Sequence, residues 1–170
     1  MMEQEQLTEN DLTLWEKLYQ AEMDFHTARW EFLKKCNDRE LVMRKALKSP
    51  SDRDTALDLL LYLDVEKRLP FFNDLVDLAS VDHASVDRVW QVILSLPKDF
   101  LLANIEKSVE PVLNNAVQDA YVEYRCLLQL YSQIDSDLTY RLAQRALQHE
   151  DADVIEAGED YMEWLEKNKQ

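Results

Sequence analysis

Residues Ala146–Leu165 read ALQHEDADVIEAGEDYMEWL, and the fold can be read from this stretch. A helix ends near Leu147, a short polar turn carries Asp151 and Asp153, and a new apolar period begins at Val154. Val154, Ala157, Tyr161, Trp164 and Leu165 recur at three- and four-residue steps, the spacing of one helix face. Glu156, Glu159, Asp160, Glu163 and Glu166 recur at the same steps on the other side. This stretch therefore predicts an amphipathic helix over Ala152–Lys167, with an apolar inner face and a carboxylate outer one. It also holds Gly158, the only glycine among 170 residues. Sandwiches, barrels and doubly wound sheets need glycine at turns of positive φ, so the chain is expected to be all-α.

The same grammar extends toward the N-terminus. ALKSPSDRDTALDLLLYL (Ala46–Leu63) again gives a helix end, a polar turn and an apolar run. SVDHASVDRVWQVILSL (Ser80–Leu96) is a looser copy. Ser51 is read as a cap, and Leu69, Phe72, Leu75, Val76 and Leu78 as one helix after a turn at Asp64. Pro111 is expected to kink or end the helix that carries Leu101, Ile105 and Val109. The closing turns Leu63-Asp64, Leu96-Pro97 and Ile134-Asp135 fall 33 and 38 residues apart. Two helices per unit at this period mark stacked repeats, in which neighbours bury each other's apolar faces.

These stretches resemble HEAT and armadillo-type α-helical repeats over roughly residues 46–167. The resemblance implies a short right-handed α-solenoid of antiparallel helix hairpins within a single domain, 1–170. Residues 49–167 would be the HEAT-like repeats. Residues 8–48 would be N-terminal capping helices, the first a long one of about 25 residues starting at Thr8 with Asp11 in its first turn. HEAT repeats often carry an arginine just after the valine. Ile155 stands there in the last unit, while Arg53 and Arg88 lie near comparable places earlier. Gly158 replaces a usual alanine. Because glycine in a helix interior costs about 1 kcal/mol against alanine, its expected role is to admit a neighbouring helix at close range.

The chain carries 34 acidic and 19 basic residues, a net charge of −15. Only −2 of it falls in the first 50 residues, where 10 acids face 8 bases; the rest belongs to the repeat region. Such a field disfavours nucleic acid and anionic membrane surfaces and steers basic proteins inward. No signal peptide or membrane span is legible, which points to the cytoplasm. Cys36 and Cys126 read as free thiols.

Catalytic chemistry is not legible. His26, His83 and His149 fall in separate units, with no HExxH or CxxC spacing, and one glycine cannot build a phosphate loop. No catalytic residue, cofactor or metal ligand is therefore assigned. The expected function is a non-enzymatic interaction module for a basic protein. Its partner-binding residues would be Glu156, Glu159, Asp160, Glu163, Glu166 and an outward Phe71. Phe71 is chosen because a regular helix cannot bury both it and Phe72 on one narrow stripe. The four tryptophans, Trp15, Trp30, Trp90 and Trp164, are expected in the core, with Trp30 or Phe32 able to face outward. A sharper version is an immunity or inhibitor protein masking a basic toxin such as a nuclease; a competing class is a cofactor-handling enzyme, since short HEAT-like repeats also resemble the lyases that attach bilin chromophores. Self-pairing through the long first helix is a further structural alternative.

Overall fold

A computed structural model describes residues 7–115 and 120–168. Among these the chain is all-helical, with no strand. The elements are α1 (Glu9–Lys35), α2 (Arg39–Lys48), α3 (Arg53–Tyr62), α4 (Val65–Arg68), a 3₁₀ turn (Leu69–Phe71), α5 (Phe72–Ala79), α6 (Val86–Leu94), α7 (Lys98–Asn115), α8 (Ala120–Ile134), α9 (Ser136–Ala146) and α10 (Ala152–Lys167). Among the described residues, no helix is long and apolar enough to cross a membrane. The chain divides into two compact units, Met1–Met43 and Arg44–Gln170. The division falls inside α2, a few residues before the boundary after 48 that the repeat pattern suggests.

The first unit is dominated by α1, which runs 27 residues. Thr8 starts it with a reciprocal capping box: its Oγ1 accepts from the Asp11 amide at 3.2 Å, and its own amide donates to the Asp11 carboxylate at 2.9 Å. No residue of α1 is buried. Trp15 is 66% exposed, which corrects its expected place in a core, and Trp30, at 57%, takes the outward alternative left to it or Phe32. Helical spacing of apolar residues fixes that they share a face, not that another element covers it.

The second unit buries its apolar side chains in the ordinary way. Leu57 and Leu60 of α3, Leu75 and Val76 of α5, Ile93 of α6, Ile105 of α7 and Leu127 and Leu128 of α8 are fully enclosed. Trp90 is buried among them, as expected. Consecutive helices pack in pairs, α5 on α6, α7 on α8, α8 on α9 and α9 on α10. Helices two elements apart also touch, as α5 does α7 and α8 does α10, while α3 packs on α6.

Two prolines act differently from the pattern's expectation. Pro70 splits the segment after Asp64 into α4, a 3₁₀ turn and α5. Pro111 lies inside α7, which continues to Asn115. Pro111 and Lys107 are both exposed, so the carbonyl left without an amide faces water, and a single lost bond is tolerated. Ser51 does not cap α3. That position falls to Asp52, with no side-chain cap hydrogen bond.

Helix ends reveal how the chain manages with one glycine. Among the described residues none has positive φ, so no helix closes on the left-handed cap that glycine favours. Arginines from following segments fill that role. Arg39 Nη1 donates to the Leu33 carbonyl at 2.5 Å, Arg53 Nε to that of Leu47 at 2.8 Å, and Arg68 Nε to that of Leu63 at 2.8 Å. Each brings a cation to the negative end of a helix and satisfies an orphan carbonyl.

Gly158 sits in α10 and is buried against α9. A Cβ placed there would lie 2.9 Å from the Ala143 carbonyl oxygen and 3.1 Å from the Leu147 nitrogen. The close approach expected of this glycine is thus built of backbone.

Candidate functional site

The carboxylate face of α10 begins at its cap. The Asp151 side chain accepts from the Asp153 amide at 2.9 Å and fixes where the helix starts. Val154, Ala157, Gly158 and Leu165 then turn inward. Glu156, Glu159, Asp160, Glu163 and Glu166, all at helical steps from one another, are exposed. The structure therefore brings these five expected site residues to one face. Two have intramolecular partners: Asp160 accepts from Arg125 Nη1 of α8 at 2.9 Å, and Glu163 pairs with Lys167 at 2.5 Å. Trp164 borders the same face, 38% exposed, with its ring 6.3 Å from that of Tyr161. It was expected in the core. The apolar arc of α10 is narrow, and Trp164 stands at its edge. An exposed tryptophan is a residue type enriched in protein-binding patches, and the carboxylates around it would set the charge of what it meets.

The cations of this unit are largely engaged elsewhere. Arg88 pairs with Asp58 at 2.7 Å, Lys98 with Asp135 at 3.2 Å, and Arg44 with Asp74. Arg141 grips Glu106 through two bonds, of 2.8 and 3.0 Å. Arg145 grips Glu110 likewise, at 2.6 and 3.2 Å. The fold uses its arginines to join helices, and the uncompensated carboxylates remain at the surface.

Phe71 is corrected by the structure. It is 3% exposed and cannot serve as an outward contact. Only a regular helix would force one of the two adjacent phenylalanines outward. Pro70 interrupts it, so Phe71 leaves the chain from the 3₁₀ turn and Phe72 from α5, and both reach the interior. The Arg44 guanidinium covers the Phe71 ring at 5.2 Å and donates to the Pro70 carbonyl at 2.6 Å. Phe72 meets Phe100 edge-on at 5.1 Å.

Two concave features were not singled out from sequence. An open groove of about 790 Å³ runs between α6 and α8, over Trp90 and Leu94, with Gln91, Gln129, Gln133 and Asp87 around it. Its amides can hydrogen-bond a peptide backbone, but they offer no acid–base pair. A smaller hollow of about 80 Å³ lies where Tyr131, Val109 and Leu142 meet the two Arg–Glu pairs. The Arg145 hydrogen bond holds the Glu110 carboxyl below its ordinary pKa, while burial pushes the Tyr131 and Tyr124 phenols upward. At neutral pH the Glu110 carboxyl is thus held ionised and the Tyr131 phenol protonated. Burial, with a smaller push from Asp82, also raises the Cys126 thiol, the wrong direction for a nucleophile. The sequence signal for the hollow was available: Glu106 to Arg141 and Glu110 to Arg145 are both 35-residue steps.

Among the described residues, no three His, Cys, Asp or Glu side chains converge as they would around a metal ion. His26 lies 3.7 Å from Glu22 on the exposed side of α1. No protein-family model, curated protein or solved structure matches the chain.

Proposed function

We propose that this protein is a non-enzymatic interaction module whose acidic α10 face binds a basic protein in the cytoplasm. The observation that carries the reading is the division of charge. Arginines are consumed in joining helices, one of them on Asp160. Five exposed carboxylates, Glu156, Glu159, Asp160, Glu163 and Glu166, meet only Arg125 and Lys167 as cations among the described residues and stand beside Trp164, 38% exposed. With a net charge of −15, the long-range field also speeds encounter with a cation-rich surface.

The platform for that face is a short right-handed solenoid of HEAT-like hairpins. Its support is a ladder of side-chain bonds at one spacing. Ser108 donates to Asn73, Arg141 to Glu106, Arg145 to Glu110 and Arg125 to Asp160, each across 35 residues. A constant step between α5, α7 and α9, and again between α8 and α10, is what stacked equivalent hairpins produce. The handedness follows the repeats that the sequence resembles.

The test is affinity capture from the native cell at a series of salt concentrations. The wild-type chain is compared with a Glu156→Lys, Glu159→Lys, Glu163→Lys variant. The expected result is a basic partner whose affinity falls about tenfold from low to moderately high salt and which the variant does not retain. A partner held equally well by the variant, or one of acidic charge, overturns the reading. If the captured partner is a nuclease or similar toxin whose activity the chain abolishes, the inhibitor version of the function is the correct one.

A further inference from the structure

The apolar residues of α1 fall on two stripes. The first, Leu14, Leu18, Ala21, Phe25, Ala28 and Phe32, repeats at steps of 4, 3, 4, 3 and 4, the heptad spacing of a helix–helix seam. It is apolar at every position. The second contains Leu12, Trp15, Tyr19, Met23, Trp30 and Leu33, and is interrupted at its own heptad places by Glu22, His26 and Arg29. Leu14, Leu18 and Phe25 of the first stripe are 56%, 61% and 45% exposed.

We propose that the first stripe is a self-association surface, on which α1 of a second copy lies antiparallel. This inference stands apart from what the acidic face of α10 binds. Its ground is the complementarity that one antiparallel register creates. Turned about a two-fold axis between Ala21 and Phe25, the central layers each set a large residue on a small one: Phe25 meets Ala21 of the second copy, and Leu18 meets Ala28. Leu14 meets Phe32, and the seam is closed at each end by Asp11 against Lys35. Alternating large and small side chains is how two helices interdigitate without voids.

The flanking positions agree. Lys17 faces Glu31 of the second copy, and Trp15 faces Arg29, a cation–π pairing. Arg29 already lies 4.5 Å above the Phe25 ring, and Glu31 already holds Lys35 at 2.5 Å, so both groups are drawn toward the seam side. Each contact away from the axis occurs twice in a two-fold pair. Only Glu22 and Asp24, which meet their own images at the axis, oppose the pairing. A parallel arrangement places Phe25 on Phe25 and Ala21 on Ala21, and sets Asp11 against Asp11 and Lys35 against Lys35. The seam therefore selects the antiparallel form.

Sedimentation equilibrium of the full chain tests this. The expected mass is twice the chain mass of 20.1 kDa at micromolar concentration. Phe25→Glu and, separately, Ala21→Glu return it to one chain mass, with circular dichroism confirming retained helix. Lys17→Glu weakens the dimer roughly tenfold through two new repulsions, and adding Glu31→Lys restores it. A wild-type chain that is monomeric at 100 µM overturns the proposal, as do seam variants that remain dimeric. A charge swap that fails to restore association overturns the antiparallel register.

Discussion

The two units use the same kinds of residues to opposite ends. In α1, leucine, phenylalanine and tryptophan side chains occupy more than half of the circumference, and not one residue is buried. In the unit from Arg44 on, leucines at similar spacing are enclosed on all sides. Their electrostatics differ as well. The ion pairs of α1, Lys35–Glu31 and His26–Glu22, join residues four apart on one helix. Those of the second unit include five that span 30 to 35 residues and tie separate helices together. Helical periodicity alone therefore does not say that a face is buried. What distinguishes a core helix here is enclosure by neighbouring helices, with charges that reach another helix.

The sharpest way to break this contrast is to truncate one leucine in each unit. Leu127→Ala removes a fully buried side chain and is expected to cost about 2–5 kcal/mol in urea unfolding. Leu12→Ala removes a side chain that is 55% exposed and should change stability by no more than about 0.5 kcal/mol. Equal effects would show that α1 is packed as tightly as α8.

Gly158 gives the next largest effect. On an isolated helix, alanine would gain about 1 kcal/mol over glycine. Here the added Cβ meets the Ala143 carbonyl and the Leu147 nitrogen, backbone atoms of the α9 end that cannot rotate aside. Overpacking of this kind costs about 1–3 kcal/mol and outweighs the propensity gain. Gly158→Ala is expected to lower Tm by roughly 2–4 °C for each kcal/mol lost. A rise in Tm would mean that α9 and α10 separate easily.

Most of the helices were legible from period and punctuation. Thr8 and Asp11 marked the start of α1, and Ala152–Lys167 carried α10 to both its ends. The five carboxylates of that helix were readable too, because surface placement on an amphipathic helix is a local property. Local pattern failed where the deciding contact was remote or the backbone irregular. Phe71 was misplaced because Pro70 replaces a regular helix with a 3₁₀ turn. Trp15 and Trp164 were misplaced because apolar chemistry was equated with burial. Pro111 does not end its helix, because a single missing amide on a solvated side does not stop it. The arginine caps and the 35-residue bonds are long-range or turn-specific contacts, visible in sequence only once the unit length is known.

Acid titration sharpens the comparison with the smallest effect. In α1, hydrogen bonds from Thr8 hold the Asp11 carboxyl below its ordinary pKa; in the second unit the Arg145 bond does the same for Glu110. A carboxylate whose folded pKa is depressed contributes stability that is fully present above its unfolded value, about 4.3 for glutamate, and lost as pH falls through the folded one. Both units therefore weaken on acidification, but by different routes. Protonating Asp11 loosens only the first turn of α1. Protonating Glu110 releases a bond between α7 and α9, so its loss appears in cooperative unfolding. Glu110 is exposed, and such a pair is worth about 0.5 kcal/mol. Glu110→Gln is thus expected to lower stability by that amount at pH 7 and by nothing at pH 2, so the two unfolding curves converge in acid. Curves that stay parallel down to pH 2 would show that the Glu110–Arg145 bond adds no pH-dependent tie between these helices.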